Sequence, residues 1–287
     1  MVTVALATAA AVPDLEEGDR LLLDALVERG ARARPAVWDD DTVNWAEFDL
    51  VLIRSTWDYA ERRADFLAWA ETVTATATLA NSLELVRWNT DKRYLRELAA
   101  EGAPVVPTTW LEPGQPVRLP EQTELVVKPA ISAGSRGTAR YRPSELARAI
   151  THARALLEQG RPVMAQPYVR SVDARGETAL VYLDGRFSHA VEKGPLLRVG
   201  EPVGQELYKA ETIQPRAHSP AEREVADRIM ELVRRRFSEP LYARVDLVED
   251  DRGEPQLLEL ELTEPSLFLG HADGAAGRLA VAALGRR

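Results

Sequence analysis

The chain has 287 residues, 28% of them charged, and a formal net charge of -9. Because a nucleic-acid-binding protein needs a basic surface for the phosphates, this charge argues against nucleic acid as the main partner. The absence of cysteine excludes disulfides, thiolate metal sites and cysteine nucleophiles. No apolar run reaches the roughly 18 residues of a membrane-spanning helix, so we expect a cytoplasmic protein without a membrane partner.

Strands and helices alternate in the first part of the chain. Residues 2–8 are predicted to form a buried strand rather than a signal peptide, because no basic region precedes the apolar run and Pro13 ends it. The next elements are predicted as a helix, a second buried strand and another helix, at 16–30, 48–55 and 63–73. This alternation predicts a parallel sheet with helices on its faces, which we assign to an N-terminal domain of residues 1–82.

The second strand ends in a cluster of polar and aromatic residues, Arg54, Trp57, Asp58 and Tyr59. Ligands of open α/β sheets bind beyond the carboxyl ends of the strands, so this tip is predicted to form a substrate wall. Arg54 could grip a carboxylate by two parallel hydrogen bonds, and Asp58 could meet an ammonium group. The alternative for Trp57 and Tyr59 is a packed aromatic turn.

Two further domains are predicted, at 83–164 and 165–287. The first is expected to contain a helical region, a strand, a glycine-bearing loop, a helix and a strand, at 82–101, 124–130, 132–138, 143–160 and 162–169. The second is expected to be an antiparallel sheet with a helix between two hairpins, at 178–193, 220–236 and 241–262. The first hairpin should turn at Asp184 and Gly185.

Lysine is rare, with four residues, Lys92, Lys128, Lys193 and Lys209, among 36 basic ones. An ammonium is not equivalent to a guanidinium where a phosphate must be reached in a tight pocket, so each lysine is a candidate for function. Lys193 alternates with His189 on one strand face. We predict a catalytic role for Lys193 and, for His189, either a substrate contact or a structural role. Lys209 is assigned to the surface.

The glycine-bearing loop 132–138 follows Lys128, which ends an apolar strand. Gly134 and Gly137 expose backbone N–H groups without Cβ obstruction, which suits phosphate binding. The loop is not a P-loop, because no Gly-Lys-Ser/Thr follows. An ammonium at the end of an apolar strand is costly to bury unless it meets an anion, and a triphosphate would supply one.

The last hairpin carries alternating charges. Side chains alternate between the faces of a strand, so Arg244 and Asp246 share one face, and Glu259 and Glu261 share a face of the partner strand. With a turn at 251–254, Asp246 would lie opposite Glu259. Adjacent like charges are destabilising, and a magnesium ion with oxygen ligands would relieve them. The alternative is a solvated charged face.

An ordered set of short motifs over residues 85–270 resembles the ATP-grasp superfamily, which includes D-alanine–D-alanine ligase, glutathione synthetase and the ribosomal-protein glutamate ligase. The motifs are DK at 91–92, VVKP at 126–129, the Ser/Gly loop, QPYV at 166–169, GE at 176–177, RVD at 244–246 and LELEL at 258–262. The resemblance implies an α/β ATP-grasp fold with α+β subdomains after an N-terminal parallel α/β domain. It also implies ATP and Mg²⁺ as cofactors.

The resemblance further implies roles for individual residues. Phosphate binding would fall to Lys92, Lys128, Ala133, Gly134 and Ser135. Adenine would meet the hinge residues Gln166, Tyr168 and Val169. The ribose hydroxyls would bind Glu177, with Asp173 as the competing choice. Two magnesium ions would be held by Asp246, Glu259 and Glu261, although many relatives have asparagine in place of Glu261. Arg244 would stabilise the acyl phosphate and the tetrahedral intermediate.

A second set of motifs looks like the bacterial ATP-grasp group that contains the cyclo-ligase of D-cycloserine biosynthesis. These motifs are RSTWDY at 54–59, RWNTDK at 87–92, the segment 176–195 and ELELTEPSLFL at 259–269. The likeness implies a carbon–nitrogen ligase that closes O-ureidoserine, a small amino-acid-like carboxylate, with an internal nitrogen. A homodimer is one possible assembly. An intermolecular ligase, a small-molecule kinase and a nucleotide-binding regulator remain open as alternatives.

Overall fold

The computed structural model describes residues 1–201, 203 and 211–286, so Lys209 lies outside the described part. The N-terminal sheet consists of β1 (Thr3–Thr8), β2 (Arg32–Val37), β3 (Leu50–Ile53) and β4 (Thr78–Ala80). All its neighbouring strands are parallel, in the order β2-β1-β3-β4. The connecting helices are α1 (Glu17–Glu28) and α2 (Arg63–Thr74). The predicted parallel α/β arrangement is confirmed. The sequence did not indicate β2, because Pro35 makes the segment a poor candidate for a strand. Proline is tolerated in an edge strand, which is the position that β2 takes.

A second sheet, entirely antiparallel, follows in the chain. It contains β5 (Thr109–Leu111), β6 (Leu125–Pro129), β7 (Ala139–Tyr141) and β8 (Val163–Pro167), in the order β5-β8-β6-β7. Helix α5 (Leu146–Glu158) packs on this sheet, whereas α3 (Leu83–Asn89) and α4 (Tyr94–Ala100) share a hydrophobic cluster with strands that come later in the chain. Strand β8 runs across the predicted division between residues 164 and 165 and pairs with β5 and β6.

The helical region predicted over 82–101 is interrupted between α3 and α4. Lys92 lies in the interruption, and its backbone N–H donates to the carbonyl of Ala130 at 2.9 Å. This bond ties the interruption to the chain just before the glycine-bearing loop. The local pattern favours one continuous helix, but the tertiary hydrogen bond overrides it and brings Lys92 to the second sheet.

The third sheet is antiparallel and carries both predicted hairpins. Its strands are β9 (Glu177–Leu183), β10 (Arg186–Lys193), β11 (Ile213–Pro215), β12 (Tyr242–Glu249) and β13 (Pro255–Glu261), in the order β11-β10-β9-β12-β13. Its helices are α6 (Ser171–Arg175), α7 (Pro220–Arg236) and α8 (Ala275–Leu284). Asp184 and Gly185 have φ of 50° and 70°, as a two-residue hairpin turn requires. In the last hairpin Asp246 lies opposite Glu259, as predicted.

Tyr242, on β12, connects the first sheet to the third. Its hydroxyl lies 2.8 Å from the carbonyl of Ile53, 3.0 Å from that of Ala80 and 3.1 Å from that of Thr263. Its ring belongs to the same buried cluster as Leu52 of β3. One hydrophobic core therefore spans both sheets. Among the described residues, no helix is both long and apolar enough to cross a membrane.

Candidate active site

Residues of the second and third sheets, together with the turn after β3, line one deep cleft. It encloses about 1430 Å³, counting the part that opens to solvent. The predicted site residues that line the cleft are Trp57, Tyr59, Lys92, Lys128, Ala133, Gly134, Ser135, Gln166, Tyr168, Val169, Glu177, Lys193, Arg244, Glu259 and Glu261.

Two of the cleft lysines are buried in ion pairs. The ammonium of Lys92 lies 3.1 Å from Glu259 and 2.5 Å from the carbonyl of Ser132, at the start of the glycine-bearing loop. At the end of β10, the ammonium of Lys193 lies 3.0 Å from Glu177 and 2.8 Å from Asp246. Each lysine therefore links two separate elements of the cleft wall.

Lys128, near the end of β6, differs from these two. It is buried, yet within the described part of the chain its ammonium has no ion-pair partner. Burial is the main cause that lowers the pKa of Lys128, and the nearby Glu259 carboxylate acts in the opposite direction. An anion that entered the cleft would favour the charged form of this lysine. Lys128 is therefore well suited to bind an incoming phosphate.

The carboxylates of the last hairpin are met by cations of the protein itself. Arg244 donates from Nε and a terminal nitrogen to the two oxygens of Asp246, at 2.8 and 2.9 Å, and it also lies 2.5 Å from Glu261. Burial raises the pKa of Asp246, but the charges of Arg244 and Lys193 outweigh it and lower the pKa to about 2. Asp246 is therefore ionised and firmly bound.

The pKa of Glu261 is shifted in the opposite direction from that of Asp246. Burial, followed by the repulsion of Glu259 and Asp246, outweighs the attraction of Arg244 and raises the pKa of Glu261 to about 7. For Glu259, burial also raises the pKa, but Lys92 and Lys128 reverse this and lower it. Among the three carboxylates of the last hairpin, negative charge is therefore least compensated at Glu261.

The carboxylates of the last hairpin could supply part of the coordination shell of a magnesium ion. Carboxylate oxygens are the ligands that magnesium prefers, and Glu259 and Glu261 both line the cleft. No group of three acidic or histidine side chains in the described residues is arranged to hold an ion, and Asp246 is already bonded to two cations. Because phosphate oxygens and water complete the octahedron of magnesium, few protein ligands are needed. The residues therefore fit an ion that arrives with a nucleotide, and Glu259 and Glu261 are its best-placed ligands.

The predicted hinge lies along the cleft beside β6. The Tyr168 hydroxyl donates to Asp173 at 2.6 Å, and the Arg140 guanidinium lies 3.3 Å from the Tyr168 ring centre. These contacts fix the ring that faces the cleft. Asp173 is occupied by this network and does not line the cleft, whereas Glu177 does. Of the two ribose candidates, the structure brings only Glu177 into the cleft.

Arg54 does not line the cleft, contrary to the prediction for the tip. It is 1% exposed, and its Nε lies 2.7 Å from Asp19 of α1. A terminal nitrogen of Arg54 donates to the carbonyl of Pro265 at 2.7 Å, and the guanidinium stacks on the Tyr242 ring. With these donors bound, Arg54 supports the cleft wall from behind and is not positioned to grip a carboxylate.

Asp58 and His189 also lie outside the cleft lining. Asp58 accepts a hydrogen bond from the Trp38 indole at 2.9 Å and pairs with Arg62 at 3.1 Å. His189 Nε2 lies 2.9 Å from the carbonyl of Leu267. His189 therefore makes a contact within the protein itself, and the sequence could not reveal its partner 78 residues away.

Sequence reasoning missed Glu264 and Ser266, which follow β13 and line the cleft, and Glu211 on another wall. Burial, followed by the repulsion of Glu261, raises the pKa of Glu264 to about 8. Glu264 and Ser266 belong to the ELELTEPSLFL motif, and that motif could have identified them as site residues. Strand periodicity ends at Glu261 and says nothing about the direction of the segment beyond it.

Comparison with known proteins gives consistent results. Residues 4–81 match the family described as "D-cycloserine synthetase DcsG, N-terminal domain". The cycloserine biosynthesis protein DcsG of Streptomyces lavendulae is 40% identical over 273 residues, which cover 91% of each chain. The crystal structure of D-cycloserine synthetase DcsG matches with a TM-score of 0.90 and 38% identity, over 99% of this chain and 100% of that one.

More distant structures show the fold. D-alanine–D-alanine ligase from Bacillus anthracis, complexed with ATP, matches with a TM-score of 0.69 at 14% identity, over 100% of this chain and 97% of that one. The predicted ATP-grasp fold and the predicted class of enzyme are confirmed by these relatives together. The chain has the ATP-grasp fold and belongs to the DcsG family of D-cycloserine synthetases.

Proposed function

We propose that the protein uses ATP and Mg²⁺ to convert the carboxylate of O-ureidoserine into an acyl phosphate, which an internal nitrogen attacks to close the ring. ADP and phosphate are released. The observation that carries this proposal is the cleft, where three lysines and Arg244 meet the carboxylates of β12 and β13. The 40% identity to a cycloserine biosynthesis protein supports the ring-forming reaction over other ligations.

The triphosphate of ATP binds where positive charge lacks a partner. The buried Lys128 ammonium takes a phosphate oxygen as its counter-charge, and Lys92 assists from the interruption between α3 and α4. In the loop, Gly134 and Ser135 have φ of 59° and 60°, a backbone form that can expose N–H groups to an anion. Adenine lies along the hinge, residues 166–169, and Glu177 receives the ribose.

Glu259 and Glu261 would hold magnesium, with Asp246 behind them. The ion would supply positive charge next to the transferred phosphoryl group. Arg244 stabilises the negative oxygen that develops when nitrogen attacks the acyl carbon, because its guanidinium is already fixed by Asp246 at 2.8 Å. Lys193 keeps Asp246 ionised and so maintains the orientation of Arg244. Trp57 and Tyr59 form the wall on the substrate side.

The test is ADP release with a panel of amino acids and aminooxy or ureido compounds, with hydroxylamine present to trap an acyl phosphate. O-ureidoserine should stimulate ADP release, yield a hydroxamate in the trap and give a ring product by mass spectrometry. A stable phosphorylated acid would instead identify a kinase. A requirement for a separate amine would identify an intermolecular ligase, and no ADP release with any acid would identify a regulator.

A cytoplasmic location and a homodimer stay predictions of this proposal. Cell fractionation tests the location, and sedimentation equilibrium tests the assembly.

A further inference from the structure

The segment 263–267, which we call the strap, is held by side chains along its whole length. Five consecutive backbone carbonyls each lie within 3.2 Å of a side-chain donor. In chain order, the pairs are Thr263 with the Tyr242 hydroxyl, Glu264 with the Trp57 indole, Pro265 with Arg54, Ser266 with Arg244 and Leu267 with His189. The donors come from the N-terminal domain and from β10 and β12. These contacts fix the backbone of the strap and so determine which of its side chains enter the cleft.

Glu264 is the acidic residue of the strap, and it enters the cleft beside the aromatic tip. Its carboxylate receives a hydrogen bond from the Tyr59 hydroxyl, while its own backbone carbonyl is held by Trp57 at 3.2 Å. The described part of the chain offers its carboxylate no ion-pair partner. Lys92 is the cation that lowers the pKa of Glu264, but its ammonium is already paired with Glu259 at 3.1 Å.

The three carboxylates of the last hairpin each have a cation of the protein. Asp246 pairs with Arg244 and Lys193, Glu261 pairs with Arg244, and Glu259 pairs with Lys92. Removing an ionised carboxylate from water without a counter-charge costs free energy. A carboxylate held rigidly in a binding cleft without such a partner is therefore suited to a cation that arrives with the ligand.

We propose that Glu264 determines substrate specificity by binding the ammonium group of the amino-acid substrate. This inference rests on the proposed function, because it names the recognition element of the same substrate. A charge-assisted hydrogen bond to Glu264 fixes one end of the substrate. The rings of Trp57 and Tyr59 lie beside it, and aromatic faces attract cations. Carboxylic acids without a free amine cannot make these contacts and therefore bind more weakly.

The experiment is calorimetric binding to the full-length enzyme loaded with magnesium and a non-hydrolysable ATP analogue. The ligands are O-ureidoserine and its N-acetyl derivative, which lacks the ammonium. Glu264→Gln keeps the size of the side chain and one acceptor oxygen but removes its charge. We expect this variant to bind O-ureidoserine about 10- to 100-fold more weakly, the usual effect of losing a charged hydrogen bond. Affinity for the N-acetyl compound and for the ATP analogue should be unchanged.

Two further variants complete the test. Tyr59→Phe removes the hydroxyl that holds the carboxylate and should weaken only O-ureidoserine binding, by a smaller factor. Glu71→Gln, which removes an exposed carboxylate paired with Arg87 outside the cleft, should change neither ligand. Equal weakening of both ligands by Glu264→Gln, unchanged binding, or a wild type that does not prefer the amine overturns the proposal.

ADP release by the same proteins, measured in separate reactions with ATP in place of the analogue, separates this inference from the proposed function. Selective binding that Glu264→Gln abolishes, but without ADP release by the wild type, supports the recognition role and overturns the ligase reaction. ADP release by the wild type with no selectivity for the amine overturns the recognition role alone.

Discussion

Replacement of Glu261 by glutamine should stabilise the protein when nucleotide and metal are absent. The pKa of this carboxyl rises from 4.5 to about 7 in the folded state, with burial as the main cause. Below pH 4.5 the group is protonated in both states and costs nothing. Between pH 4.5 and about 7 only the unfolded state releases the proton, so stability falls over this range and is constant above it. Above pH 7 the cost is about 3 kcal/mol as an upper limit, because the side chain is 26% exposed.

Thermal unfolding between pH 4 and pH 9 measures this effect. Glu261→Gln and wild type should have equal Tm at pH 4, and the variant should gain about 5 °C at pH 8 for a protein of this size. Asp246→Asn is the matched control on the same sheet face, because its carboxylate is stabilised rather than strained by its neighbours. A gain that does not depend on pH, or an equal gain in Asp246→Asn, would refute the reasoning.

Three further predictions concern buried charges. Asp246→Asn should lower the free energy of unfolding in urea by about 3–5 kcal/mol, since it leaves the buried Arg244 and Lys193 with one anionic partner each in place of two. Arg54→Ala should cost a similar free energy, about 3–5 kcal/mol, because Asp19 then lies buried alone; an unchanged urea midpoint would contradict its structural role. Lys128→Met should weaken ATP-analogue binding at least about tenfold by calorimetry without lowering Tm, and unchanged affinity would remove Lys128 from the site.

The sequence predicted best where local geometry determines the outcome. Alternation along a strand assigns faces without knowledge of the rest of the fold, so the pairing of Asp246 with Glu259 could be foreseen from the turn. The scarcity of lysine was informative in the same way, because three of the four line one cleft. Neither inference required a contact between distant segments.

The sequence failed where a distant partner decides the role of a residue. Arg54 does end a buried strand, as predicted, but Asp19 lies 35 residues earlier in the chain and binds its guanidinium. The strand-end rule gives the position of a side chain and not the acceptor that it meets. Glu264 was missed for a related reason, because side chains of other segments set the path of the strap. Periodicity contains no information about such contacts.

The arginines and lysines around the cleft differ in the shape of their charged groups. This difference leads to a last prediction. Arg244 and Arg54 each span several fixed acceptors with a planar fork. Lys128 instead presents a compact ammonium from a buried strand, close to Lys92 and Lys193. A guanidinium is larger and rigid, and it cannot lose its charge to relieve that repulsion.

Lys128→Arg should therefore fail to preserve affinity for the ATP analogue, although the formal charge is kept. We expect calorimetry to show a loss comparable with that of Lys128→Met, together with a lower Tm, because the larger cation must be accommodated without a counter-charge. Lys92→Arg is the matched comparison, since Glu259 already compensates that position, and it should keep a higher Tm than Lys128→Arg. If Lys128→Arg binds the analogue as tightly as wild type, charge alone explains the site and the scarcity of lysine carries no information about it.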